Sequence, residues 1–164
     1  MMIICGVDPG TRATGYGILE LQLNGSAEYI IHGTIRPRAK DLPGRLKQIY
    51  LELLQVFEHF KPQEVAVESS FYAKNAQTAM KLGQVRGVII LAATLHDIPV
   101  FEYTPTEIKS ATCGYGHAGK DQVSSMVSTL LNLPQGLIVS RDATDALAVS
   151  VCHTSSRRMK GVML

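Results

Sequence analysis

The alternation of apolar and polar positions divides the chain into short strands followed by helices. Met1 to Val7 is an apolar run containing one glycine, which predicts a central strand covered on both faces. Asp8-Pro9-Gly10 supplies a turn, and Gly15 to Leu19 resumes an extended pattern, so the first two strands form a hairpin with Asp8 near its mouth. Tyr29 to Arg36 is β-branched enough for a third strand. Leu42, Leu46, Ile49, Tyr50, Leu53, Leu54 and Phe57 then recur at helical spacing behind Asp41, and Lys61-Pro62 closes the pattern. Glu64 to Val67 is a short strand ending in Glu68. A right-handed crossover lays it parallel to an earlier strand. If that neighbour is the first strand, Asp8 and Glu68 emerge at one sheet edge.

Asn75 can cap a helix running to about Leu95. Gly83 and Gly87 within it would allow another helix to approach, in the monomer core or across a dimer. Pro99 to Tyr103 is the last strand, and Thr104-Pro105-Thr106-Glu107 has the form of a capping box opening a helix that ends near Gly114. The glycine-rich stretch Gly114 to Lys120 is expected to be the most mobile loop. Lys120 to Leu131 is helical, ended by Pro134. Ser140 can cap a final helix carrying Asp142, Ala143, Asp145, Ala146, Leu147 and Val151. The expected architecture is α/β, with a mixed five-stranded sheet flanked by helices on both faces. Residues 1–154 form one domain, and 155–164 a frayed basic tail.

Composition narrows the class. At 164 residues the chain suits a single core. No run reaches the roughly 18 to 20 consecutive apolar residues of a membrane span, and the N-terminus lacks a signal-peptide pattern, so a cytoplasmic protein with no membrane partner is expected. Cys5, Cys113 and Cys152 are scattered and odd in number, which suits reduced, structural thiols. The net charge of +2 conceals a contrast. With Asp8, Glu68, Asp142 and Asp145 set aside as one cluster, 16 basic side chains face 10 acidic ones, a balance suited to a polyanion held over metal ions.

Asp142 and Asp145 lie three apart on a helix and can share a ligand. Acids in a first helical turn also complement the macrodipole. Ala143, Ala146 and Leu147 mark a helix packed down rather than solvated, and no basic residue follows until Arg157. Such carboxylates need a partner, and a divalent cation would serve. All-oxygen donors favour Mg²⁺ or Mn²⁺ over zinc, and two ions would suit in-line displacement at a phosphodiester.

The strings GVDPGTRATGYG (6–17), VAVESSFYAKNAQTAMKLGQVRG (65–87) and RDATDALAVS (141–150), in that order and spacing, resemble the RuvC-type Holliday-junction resolvases. The similarity runs from Ile3 to about His153. It implies a ribonuclease-H-like fold and a crossover junction endodeoxyribonuclease in which Asp8, Glu68, Asp142 and Asp145 ligate two Mg²⁺ ions, with Mn²⁺ able to substitute. It further implies that Lys109 and Lys120 meet the DNA or the reacting phosphate and that Phe71 stacks on a base. The family acts as a homodimer on four-way junction DNA, leaving 5′-phosphate and 3′-hydroxyl ends, alongside bacterial branch-migration proteins. By residue type alone, the two lysines also read as solvated surface charges and Phe71 as core.

Gly114 to Lys120 matches P-loop spacing, but Asp121 replaces the Ser or Thr that would hold Mg²⁺, and the loop follows a helix instead of a strand. The five histidines are too dispersed for a zinc site. Two other readings compete with a nuclease. Actin-like and sugar-kinase ATPases share an Asp-x-Gly-Thr hairpin but need two such domains. A non-catalytic junction-binding module would carry four unused acids beside DNA, where they would repel phosphate.

Overall fold

The computed structural model describes residues 1–69, 75–134, 136–137 and 140–159. Five strands form one sheet in the order β3-β2-β1-β4-β5: β1 (Met2–Asp8), β2 (Thr14–Leu21), β3 (Ala27–Ile35), β4 (Glu64–Glu68) and β5 (Val100–Tyr103). The first three are antiparallel, while β4 and β5 join β1 in parallel. The sheet is therefore mixed, as the crossover rule predicts. Val7 pairs with Val67 across β1 and β4, so the next residues, Asp8 and Glu68, leave the sheet side by side.

Alternation along the strands sends successive side chains to opposite faces. Cys5, Val7, Val65 and Val67 pack with α1 (Leu42–Phe60) and α2 (Ala76–Leu95) on one face. Ala66 and Tyr103 pack on the other with α3 (Pro105–Cys113), α4 (Lys120–Leu130) and α5 (Arg141–Met159). The caps explain the helix boundaries. Asp41 Oδ1 accepts from the Gly44 amide at 3.1 Å, and Lys61 ends α1 in the left-handed region. Asn75 Oδ1 accepts from Thr78 N at 2.9 Å. Thr104 and Glu107 make the expected reciprocal capping box, and Gly114 closes α3 with φ of 85°.

The expected frayed tail needs correction. The boundary at residue 154 falls inside α5, which continues to Met159; Arg157 in that last turn is folded onto Glu64 rather than frayed. Ser140 stands where a cap of α5 is expected, its carbonyl accepting from Thr144 N at 3.1 Å and its hydroxyl 3.0 Å from Thr34 Oγ1, which ties the helix start to β3. Among the described residues an added Cβ at Gly83 or Gly87 would meet nothing within 4 Å.

By length and mean hydropathy α2 could cross a membrane. Val85, Ile89, Ala92 and Ala93 are instead buried in the core. Met80, Leu91 and Leu95 remain 70%, 53% and 61% exposed on its outer side.

Candidate active site

The position of α5 sets the geometry of the site. Gly6 and Gly17 pair across the hairpin, as do Asp8 and Gly15, and together the three glycines leave a floor with no side chains beside the Asp8 carboxylate. A Cβ on Gly6 would lie 2.6 Å from Ser150 N, and one on Gly17 2.7 Å from Leu147 Cδ2. Helix α5 thus rests on bare backbone, and Ser150 Oγ donates to the Gly17 carbonyl at 2.9 Å. Its N-terminal end, with Asp142 in the first turn and Asp145 just beyond it, overhangs the strand ends that carry Asp8 and Glu68.

Asp8, Glu68, Asp145, Lys109 and Lys120 line a single cavity of about 240 Å³, walled by Pro105, Ile108, Val123 and Ala148. Asp142 lies one turn further back, with its carboxylate 3.4 Å from Arg36 Nη2. Burial first, then the negative charges of Glu68, Asp145 and Asp142, push the Asp8 carboxyl well above its ordinary range; Lys120 opposes them. Burial also raises Asp145, against the pull of Lys120. The acids therefore repel one another in a partly dehydrated pocket, and a cation is what such a set lacks.

The expectation that no basic group reaches the helical acids needs amendment, because the partners come from other elements. Arg36 follows β3, and Lys120 Nζ, at the first residue of α4, stands 3.9 Å from Asp145 Oδ2. Both cations are largely exposed, at 62% and 72%, so solvent screens them and the pairs contribute little. Arg36 was not foreseen. The only sequence signal for it was the basic run Arg36-Pro37-Arg38 leaving an edge strand.

Hard oxygen donors on two strand ends and one helix fit a divalent cation of the Mg²⁺ type. Among the described residues no three acidic, His or Cys side chains already close around a single point. Phe71 lies outside the described residues.

A mixed sheet with acids at the ends of its two central strands and on the helix laid across them defines the ribonuclease-H-like class of phosphodiester-cleaving enzymes. The family model of the crossover junction endodeoxyribonuclease RuvC matches residues 4–153. The chain belongs to the RuvC family. It is 45% identical over 163 residues to the RuvC of Geotalea uraniireducens, covering 99% of this chain and 94% of that protein. With the RuvC of Shewanella frigidimarina the identity is 50% over 153 residues, covering 93% and 87%. T. thermophilus RuvC in complex with a Holliday junction substrate superposes with a TM-score of 0.89 at 30% identity, covering 98% of this chain and 97% of that one. The yeast mitochondrial Holliday junction resolvase shares the fold, with a TM-score of 0.69 at 12% identity over 97% of this chain and 82% of that one.

Proposed function

We propose that the chain is a Mg²⁺-dependent, structure-selective endodeoxyribonuclease of the cytoplasm that resolves four-way DNA junctions by paired, symmetric nicks. Nucleases of this family are metal-dependent. Here Asp8, Glu68, Asp142 and Asp145 would hold two Mg²⁺ ions, for which Mn²⁺ would substitute. A bound pair would supply activation of a water and stabilisation of the leaving oxygen in an in-line displacement. The protein's own part is to orient and shield. Strand ends fix Asp8 and Glu68, the glycine floor fixes the overhang of α5, and Ile108, Val123 and Ala148 exclude water from one side of the cavity. Lys109 and Lys120 face that cavity and meet the DNA phosphates, while Phe71 stacks on a base near the crossover. The observation that carries the reading is the convergence of acids remote in sequence onto one pocket lined by two lysines.

Paired nicks require two sites, and the exposed side of α2 supports a homodimer. Ala76, Met80, Gly83, Gly87 and Leu91 follow one another at spacings of three or four residues, which lines up one helix face. The glycines leave open space there, so a second α2 could approach closely. Docking with branch-migration proteins belongs to the same reading.

The test is a labelled four-way junction incubated with Mg²⁺ and then with EDTA. Symmetric nicks with Mg²⁺ alone are expected. ATP hydrolysis without nicking would favour a kinase-like ATPase, and binding without nicking in either condition a passive module.

A further inference from the structure

Strand β4 carries a carboxylate at each end. Glu64 and Glu68 are four residues apart, so both side chains project toward α5. At the Glu68 end, acid meets acid. At the Glu64 end the charges are opposite. His153 is 1% exposed, with Nε2 2.5 Å from Glu64 Oε2 and Nδ1 2.8 Å from Tyr103 Oη. Arg157 Nη1 donates to Glu64 Oε1, one helical turn further on. A carboxylate only accepts, so His153 Nε2 donates to Glu64, while Nδ1 and the Tyr103 hydroxyl stand within hydrogen-bond distance of each other. The Phe101 ring, with its centroid 4.7 Å from that of His153, packs against the imidazole. Tyr103 is itself the β5 partner of Glu68, so the network joins α5 to β4 and β5.

This network meets a mechanical need. A glycine floor lets α5 come close but gives it few side chains to interdigitate with; the Ser140–Thr34 and Ser150–Gly17 hydrogen bonds tie its start and middle, and the network adds a buried anchor near its far end. The like charges at its N-terminal end push it away from the strand ends. His153 lies about 12 Å along the helix from Asp145 at 1.5 Å per residue, and a helix of this length is stiff enough for an anchor at one end to set the other.

We propose that Glu64, Tyr103, His153 and Arg157 form a positioning clamp that fixes α5 on the sheet and so holds Asp142 and Asp145 at the separation from Asp8 and Glu68 that divalent ions require. The clamp rests on the metal-binding reading of the four carboxylates. Its members touch neither substrate nor metal.

Stability and positioning separate experimentally, because apolar replacement of a buried ionic network is often neutral or stabilising. Titration calorimetry with MnCl₂ alone is run on the wild type, Glu64→Gln, Tyr103→Phe, the double variant Glu64→Leu/His153→Leu and Asp145→Asn. Leu53→Ala, in the core on the other sheet face, serves as a destabilised control. Glu64→Gln and the double variant should bind Mn²⁺ about ten-fold more weakly or worse, as when supporting partners of a metal site are removed. Junction affinity in EDTA should be unchanged, nicking should return at high Mn²⁺, and Leu53→Ala should keep the wild-type midpoint. Tyr103→Phe should shift the midpoint in the same direction by less. Mn²⁺ midpoints within about two-fold of wild type in folded Glu64→Gln and the double variant would overturn the clamp while leaving the carboxylate site standing. If the wild type shows no Mn²⁺ binding that Asp145→Asn removes, the carboxylate reading fails and the clamp falls with it.

Discussion

Gly15→Ala tests the geometry of the site without touching any acid. Gly15 lies opposite Asp8 in the β1–β2 ladder, directly under the first turn of α5. A methyl group there would stand 2.5 Å from the carbonyl carbon of Asp142 and closer still to its oxygen. Ordinary carbon contacts need about 3.5 Å, so the turn must retreat by at least about 1 Å, taking the Asp142 carboxylate with it. Misplacement on that scale costs on the order of 100-fold in rate, equivalent to about 2.7 kcal/mol of barrier. Overpacking should remove a further 1–3 kcal/mol or so of stability, leaving a folded protein. The assay is single-turnover nicking of a labelled junction at saturating enzyme, with thermal unfolding and junction binding in EDTA measured in parallel. Binding should hold, because Lys109 and Lys120 sit on α3 and α4. A Gly15→Ala protein that nicks at the wild-type rate with an unchanged melting temperature would refute the argument that close backbone contact places α5.

Asp8→Asn should abolish nicking and keep or strengthen junction affinity, since it removes a proposed ligand and a negative charge from the pocket; gel-shift and cleavage assays on one preparation decide it. The same variant tests the raised Asp8 carboxyl. A carboxyl whose folded value lies above its unfolded one, near 3.8, favours the fold while protonated, so that stability is lost as pH rises from about 4 through the folded value. Metal-free wild type should therefore melt lower as pH climbs through that window, and Asp8→Asn should flatten the profile. For α2, Gly83→Leu or Leu91→Asp should convert a dimer to monomers by sedimentation, with melting of the monomer little changed because both positions are exposed. Burial pushes the Cys5 and Cys152 thiols up to about 12, so a maleimide at pH 8 should label native protein at Cys113 alone.

How much of this was legible in the sequence follows from the range of each interaction. Asp8 and Glu68 could be read because each ends an apolar strand, and the handedness of the crossover placed their strands together. Asp142 and Asp145 could be read from helical spacing and the small apolar residues around them. Each of those signals is local. The clamp was invisible because Glu64 and His153 are 89 residues apart, and each alone is an ordinary polar residue at the end of an element. Lys120 was ambiguous for the same reason: a lysine opening a helix reads as solvated until the fold sets Asp145 beside it. The glycine floor was present in the sequence but its glycines read only as strand positions, because only the pairing of Gly6 with Gly17 and of Asp8 with Gly15 shows that they share a face.

Helix α2 shows a different limit. Apolar and small residues occur around most of its circumference, a pattern that ordinarily marks a helix enclosed on every side. Folding of one chain covers only the side bearing Val85, Ile89, Ala92 and Ala93. A sequence records that a face avoids water but not whether its cover comes from the same chain or a second copy, because burial by either removes the same apolar surface. The homodimer proposed above rests on Gly83 and Gly87. Glycine inside a helix costs about 0.8–1 kcal/mol relative to alanine, and among the described residues a Cβ at either position would meet nothing within 4 Å. Closer approach of another helix would offset that cost. In the proposed homodimer this face would supply the contact that brings a second active site to the same junction.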